Sequence, residues 1–314
     1  LSVSKLHQGL THLIFGSNFN RDVSNLPNSL TYLTFGIHFN KDVSNLPPFL
    51  THLTFCMNFN RDVSNLPNSL THLTFGIYFN QDVSNLPPHL THLTFGIYFN
   101  QDISNLPNNL THLKFGCNFN QDVSNLPNSI THLFFELYFN QDISNLPQNI
   151  THLAVGRNFD KNMLNLNPRI THLDLKRCFN QNTLILPKSI THLSIDYGIT
   201  KNYDISTSVK YLKLSCNNNY IINSLPNSIV ELELDIGFNI EMQNLPTSIK
   251  KIIINKNSDY NKNLNCLPNF VEELRLNRTY KKRIINIPQN LRKLICDKDY
   301  PHKNDFQFCE IETY

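Results

Sequence analysis

The chain has 314 residues, of which 40% are hydrophobic and 16% charged, with a formal net charge of +3. This balance excludes an intrinsically disordered chain and makes no electrostatic demand for a nucleic acid or a membrane surface as partner. No apolar run approaches the roughly 20 residues of a membrane span, and the opening LSVSKLHQGL lacks the apolar centre of a signal peptide, so a cytoplasmic protein is expected.

From residue 10 onward one phrase repeats. The stretch Leu90 to Pro107 reads LTHLTFGIYFNQDISNLP and is one copy of it. Aligned on the leucine after Thr-His, the copies stand at 13, 33, 53, 73, 93, 113, 133, 153, 173 and 193, then at Leu212, Leu232, Ile252, Leu274 and Leu294. The spacing is 20 apart from one gap of 19 and one of 22, which is the self-similarity of a solenoid and favours one elongated domain over two globules.

Within a copy, Leu93 and Phe95 alternate with His92, Thr94 and Gly96, the period of a short strand with one buried face. The return path from Phe99 to Pro107 is rich in Asn and Ser and ends on proline, which leaves little room for helix. The expected fold is therefore a repeat solenoid: a right-handed, leucine-rich-repeat-like β-solenoid with one short parallel strand per coil of about 20 residues. Its core is built of columns, with leucines at 10, 30, 50 and at 13, 33, 53, phenylalanines at 15, 35, 55 and at 19, 39, 59, Val or Ile at 23, 43, 63, and leucines at 26, 46, 66. Regular coils run from 10 to 198 and divergent ones from 199 to 298, and the tail 299 to 314 is expected to cap the last coil. The chain opens at Leu1 and enters the repeat almost at once, so a preceding segment is expected.

Three polar columns run beside the apolar ones. Asn20, Asn40, Asn60, Asn80, Asn100, Asn120 and Asn140 are suited to satisfying the turn backbone coil after coil. Asp22, Asp42, Asp62, Asp82, Asp102, Asp122 and Asp142 need backbone donors or cations to relieve their mutual repulsion; backbone capping and calcium both meet that need. His12, His52, His72, His92, His112, His132, His152, His172 and His192, with Tyr32 taking one turn, face outward from the strands. Cross-strand stacking, a pH-sensitive surface and metal binding are the three readings of that ladder. His172, Asp174 and His192, near Asp196 and Lys176, are the most compact candidate ligand set for a divalent metal.

No nucleophile elbow, P-loop, HExxH or dinucleotide-binding glycine loop is present, so no enzyme, cofactor or small-molecule substrate is expected. The seven cysteines, Cys178 among them, form no CxxC pair and read as free thiols. Past residue 198, charges such as Glu231, Glu233, Lys250, Lys251, Glu272 and Glu273 and the run Lys281, Lys282, Arg283 enter, either as a solvated face or as a patch for an acidic partner or nucleic acid.

Because the copies are nearly identical, their differences mark the positions that the scaffold leaves free. Variation gathers just after each strand, at Ile37 and His38, Met57 and Asn58, Ile77 and Tyr78, Ile97 and Tyr98, Cys117 and Asn118, Leu137 and Tyr138, with Lys114 and Phe134 on the strand itself. The candidate partner-binding residues are Ile37, His38, Ile77, Tyr78, Ile97, Tyr98, Phe134, Leu137 and Tyr138. They make an aromatic and aliphatic rim of the kind that anchors protein partners, or else they pack under the turn.

LPNSLTHLTF (Leu66 to Phe75) resembles the leucine-rich repeat, especially the short LPxxLxxL variety of some bacterial effectors. Phe-Asn, two variable residues, an aliphatic residue and then Leu-Pro is the signature of FNIP repeats, closely from residue 10 to about 200 and loosely from 201 to 298, where FNIEMQNLP (Phe238 to Pro246) supplies Phe-Asn-Ile itself. Such repeats are similar to those in proteins of social amoebae and of giant viruses that infect amoebae, where they often follow an F-box. The resemblance implies a non-enzymatic protein-interaction scaffold, the target-recognition region of an F-box-type ubiquitin ligase receptor, with a protein target and a ligase adaptor reached through the preceding segment. The alternatives are a structural repeat without a defined partner and a metal-binding or enzymatic protein using the histidine face.

Overall fold

The computed structural model describes residues 3–163, 165–176, 185–196 and 202–314. Cys178 and the boundary expected at residue 198 lie outside them. The chain divides into two compact units, Leu1–Arg169 and Ile170–Tyr314.

In the first unit β1 (His12–Ile14), β2 (Tyr32–Thr34), β3 (His52–Thr54), β4 (His72–Thr74), β5 (His92–Thr94), β6 (His112–Lys114), β7 (His132–Phe134) and β8 (His152–Val155) follow one another in a parallel sheet. Register is residue for residue, Leu33 on Leu53 and Leu93 on Leu113. The local cause is the Leu-Pro step. A turn in which the Leu30 N–H bonds the Pro27 carbonyl at 3.2 Å launches the strand, and the same turn recurs at Leu70 and Pro67 and at Leu110 and Pro107. Coils then engage through the backbone, with the Thr51 and His52 N–H groups both donating to the Thr31 carbonyl.

The apolar columns expected from the repeat are the core. Leu30, Leu53, Phe35, Phe59, Val83 and Leu106 are all buried. Phe95 and Phe99 of one coil stack 3.7 Å apart, and each meets its counterpart in the next coil at 5.5 and 6.1 Å, so the interior is a double file of phenylalanines closed by leucines.

The second unit comprises β9 (His172–Leu175), β10 (His192–Ile195), β11 (Tyr211–Leu214), β12 (Glu231–Leu234), β13 (Lys251–Ile254), β14 (Glu273–Arg275), β15 (Lys293–Cys296) and β16 (Glu310–Thr313), again parallel and in chain order. A single α-helical turn, α1 (Asn219–Asn223), is capped by Asn218, whose side chain accepts from the Tyr220 and Ile221 N–H groups. Gly237, at φ +100, makes the turn after β12 that delivers Phe238 to the core. The outer phenylalanine file becomes Phe238, Tyr260, Tyr280 and Tyr300, all buried and about 6 Å apart. The tail departs from the repeat yet adds a strand, β16 pairing with β15 so that Leu294 faces Ile311.

Candidate partner-binding surface

Just after each strand a second backbone ladder links the coils of the first unit. Each N–H bonds the preceding coil's carbonyl: Asn58 to Ile37, Tyr78 to Met57, Tyr98 to Ile77, Asn118 to Ile97, Tyr138 to Cys117 and Asn158 to Leu137, at 2.9 to 3.0 Å. This ladder sets the variable residues in register. One column reads Ile37, Met57, Ile77, Ile97, Cys117, Leu137, and its neighbour reads His38, Asn58, Tyr78, Tyr98, Asn118, Tyr138.

The expected site residues divide along these columns. Tyr78 and Tyr98 stack with centroids 5.2 Å apart and planes at 5°, and they are 48% and 47% exposed. Tyr138 is 52% exposed but stands two coils from Tyr98, with Asn118 between them. Ile37 and Ile97 are exposed, whereas Ile77 and Leu137 are half-buried. His38 is tied to Asn58 across 3.1 Å. Phe134 lies apart from the rim on the strand face, half-buried and 6.3 Å from the His132 ring. Met57, exposed, and Cys117, half-buried, complete the apolar column. Both are variable positions of the repeat that lie outside the nine candidate partner-binding residues, and their place one coil from Ile37, Ile77, Ile97 and Leu137 is the signal in the sequence that points to them.

The histidine ladder is a stack. From His52 to His152 successive rings lie 4.1 to 4.2 Å apart with planes at 11° to 14°, and Tyr32 fills its rung between His12 and His52 at 4.4 and 4.0 Å. The preceding threonine fixes each ring, Thr71 Oγ1 lying 2.9 Å from His72 Nδ1 and Thr91 Oγ1 2.9 Å from His92 Nδ1. Partial burial, reinforced by the neighbouring imidazoles, lowers the pKa of His52, His112 and His132 and brings that of His72 down to about 4. These four imidazoles are therefore held in the neutral form at neutral pH. With Nδ1 engaged and the planes nearly parallel, the remaining lone pairs do not converge on one ion. In the second unit His172 and His192 stack at 3.9 Å, and Asp174 is engaged by Lys176 at 2.7 Å. Among the described residues no group of three or more His, Cys, Asp or Glu is placed to hold a metal ion.

On the return side the asparagine column bonds coil to coil, the Asn80 N–H donating to Asn60 Oδ1 and the Asn100 N–H to Asn80 Oδ1, both at 2.9 Å. Each aspartate is closed by the serine two residues on. The Ser84 hydroxyl donates to Asp82 at 2.7 Å and its N–H at 3.0 Å, and the same clasp recurs at Ser104 and Asp102 and at Ser124 and Asp122. These donors hold the carboxyls below the usual aspartate range.

The second unit carries a different face. Glu231, Lys251, Glu273, Lys293 and Glu310 occupy successive rungs where the first unit has histidines, with Lys251 3.6 Å from Glu231 and 3.7 Å from Glu273. Lys213 reaches Glu233 and Asp235 at 2.9 Å each, and Lys293 reaches Glu312 at 2.6 Å. Arg283 pairs with Asp305 at 2.9 Å and Lys281 donates to the Asp299 carbonyl, while Lys282 lines a groove.

No helix among the described residues is long and apolar enough to cross a membrane. The fold is a leucine-rich-repeat-like solenoid, an architecture typical of protein-interaction scaffolds and of families that are generally non-enzymatic.

The FNIP Repeat family model matches residues 5–38, 22–58, 39–78, 59–98, 99–138 and 199–235, together more than half of the chain. Among solved structures the chain is similar to CroV588, a giant-virus protein described as a novel circular leucine-rich-repeat structure, with a TM-score of 0.64 and 37% identity over 98% of this chain and 53% of that one. The chain thus spans about half the length of that neighbour. It is also similar to the functional domain of InlJ from Listeria monocytogenes (TM-score 0.48, 18% identity, 90% of this chain and 64% of that one) and to YopM from Yersinia enterocolitica (0.47, 18%, 92% and 69%). No curated protein sequence matches the chain significantly. The chain belongs to the FNIP repeat family.

Proposed function

We propose that the chain is a non-enzymatic recognition scaffold that holds a protein target along the rim of its first unit, as the target-binding region of an F-box-type ubiquitin ligase receptor acting in the cytoplasm. The observation that carries this reading is the exposed Tyr78 and Tyr98 stack beside the apolar column from Ile37 to Leu137. Stacked tyrosines present a large, stiff contact area with few torsions to freeze on binding. The ladder beneath them fixes that area before a partner arrives. The ubiquitin part of the proposal rests on the family resemblance, and the adaptor is reached through a preceding segment.

The test is affinity capture from amoebal lysate with the full-length protein, read by mass spectrometry. Recovery of a ligase adaptor together with one discrete target is expected, and Tyr78→Ala, Tyr98→Ala and Tyr138→Ala combined should remove the target while leaving the adaptor. Target recovery unchanged in that variant refutes the rim, and capture of the target without any adaptor refutes the receptor role alone.

A further inference from the structure

The return side changes character between the units. In the first, every coil from Asp22 to Asp142 places an aspartate just before the buried Val or Ile. In the second, the residues just before buried Ile222, Met242, Leu264 and Ile284 are Ile221, Glu241, Asn263 and Arg283. The serine clasp is gone as well. The Gln243 N–H instead donates to Asn223 Oδ1 of the previous coil, while the asparagine bond of the first unit persists, the Asn261 N–H donating to Asn239 Oδ1.

Those two bonds have a chemical consequence. A carboxamide that spends its oxygen on a backbone N–H is left with its two N–H donors. Asn223 and Asn239 both line a groove of about 630 Å³ across successive coils of the second unit, together with Glu241, Lys262 and Lys282. Neither lysine has an ion-pair partner among the described residues. Two ammonium groups, two amides whose oxygens are already spent and one carboxylate thus line one groove, together with the amides of Asn219, Gln243 and Asn261.

Lysine ammonium and amide N–H groups suit the oxygens of a compact oxyanion. A carboxylate beside them repels a fully ionised anion but accepts a hydrogen bond from one that retains an O–H. Inorganic phosphate near neutral pH retains such a proton, whereas sulfate does not. We propose that this groove binds the free hydrogen phosphate ion, with Lys262, Lys282 and the two amides on its oxygens and Glu241 accepting its O–H.

Isothermal titration at physiological ionic strength with inorganic phosphate, sulfate and phosphoserine tests this. Phosphate is expected to bind saturably and more tightly than either comparator. Lys262→Gln with Lys282→Gln should weaken it by about tenfold or more, a loss of about 1.4 kcal/mol; Lys256→Gln, an exposed lysine elsewhere, should change nothing. Glu241→Gln should bring sulfate level with phosphate. Lys282 is exposed and Lys262 half-buried, so an unchanged thermal midpoint will show that the double variant is folded. No saturable phosphate binding, equal affinity for sulfate in the unaltered protein, tighter binding of phosphoserine, or full affinity in the double lysine variant would each overturn the assignment.

Discussion

The two units solve the same coil-stacking problem with different chemistry. On the strand face the first stacks imidazoles 4.1 to 4.2 Å apart from His52 to His152, whereas the second alternates Glu231, Lys251, Glu273 and Lys293. In the core, phenylalanine at Phe79 and Phe99 gives way to Tyr260, Tyr280 and Tyr300. On the return side the asparagine bonds between coils occur in both units, whereas the serine clasp of the first gives way in the second to a further amide bond, from the Gln243 N–H to Asn223 Oδ1. What a solenoid requires of each position is therefore complementarity to the same position one coil away; identity is only the simplest way to meet it. Like aromatic groups satisfy the rule by stacking, and charged groups satisfy it by alternating in sign, as Glu231, Lys251 and Glu273 do, or by being closed within their own coil, as Asp82 and Asp102 are by Ser84 and Ser104.

The sharpest way to break the first unit is through its double phenylalanine file. Phe99 is fully buried and stacks on Phe95, Phe79 and Phe119, so Phe99→Ala should cost about 3 to 5 kcal/mol in denaturant unfolding. Phe99→Leu, which refills most of the volume, should cost clearly less.

Acid should separate the two faces. His52, His112 and His132 have folded-state pKa values below their unfolded value of about 6.5, with His72 at about 4. The unfolded chain therefore takes up protons first, and stability contributed by the ladder is fully present above that value and lost as pH falls towards 4. The clasped aspartates, also lowered, add a loss only below about pH 4. Hydrogen exchange followed by mass spectrometry should show β3 to β7 losing protection between about pH 6.5 and 4.5, while β12 to β15, whose rungs carry no imidazole, hold theirs. Equal loss in both units would contradict the comparison.

A smaller effect has the opposite sign. The Tyr260 hydroxyl is buried without a hydrogen-bond partner among the described residues, and burial raises its pKa. Tyr260→Phe restores the residue type of the first unit and should stabilise the protein by about 1 kcal/mol, read as a rise in thermal midpoint. Smallest of all, Lys251→Met breaks the rung between Glu231 and Glu273; these are partly exposed pairs, so the cost should be about 0 to 1 kcal/mol and should shrink further in high salt.

The fold was readable because a period of 20 with fixed apolar positions leaves few arrangements that bury every leucine and phenylalanine. Among the described residues, fifteen of the sixteen strands sit on the leucine or isoleucine positions of the repeat. The sixteenth was not readable: DYPHKNDFQFCEIETY has no repeat pattern, and Glu310–Thr313 becomes a strand by pairing with the edge of β15. Charges in the divergent coils looked like a solvated face because gaps of 19 and 22 residues hide which of them meet. Their pairing emerges only from the register. The candidate rim was drawn from variation, which did not by itself show that Met57 and Cys117 stand in one register column with Ile77 and Ile97; Phe134, expected on the strand, lies on the strand face.

Site-specific photo-cross-linking tests the recognition role most directly. A photoreactive amino acid at position 98, on the rim, is compared with one at position 105, on the exposed return side of the same coil. The account predicts that one discrete protein is captured from position 98 and not from position 105. Capture of that protein from position 105 alone, or equally from both, would contradict it.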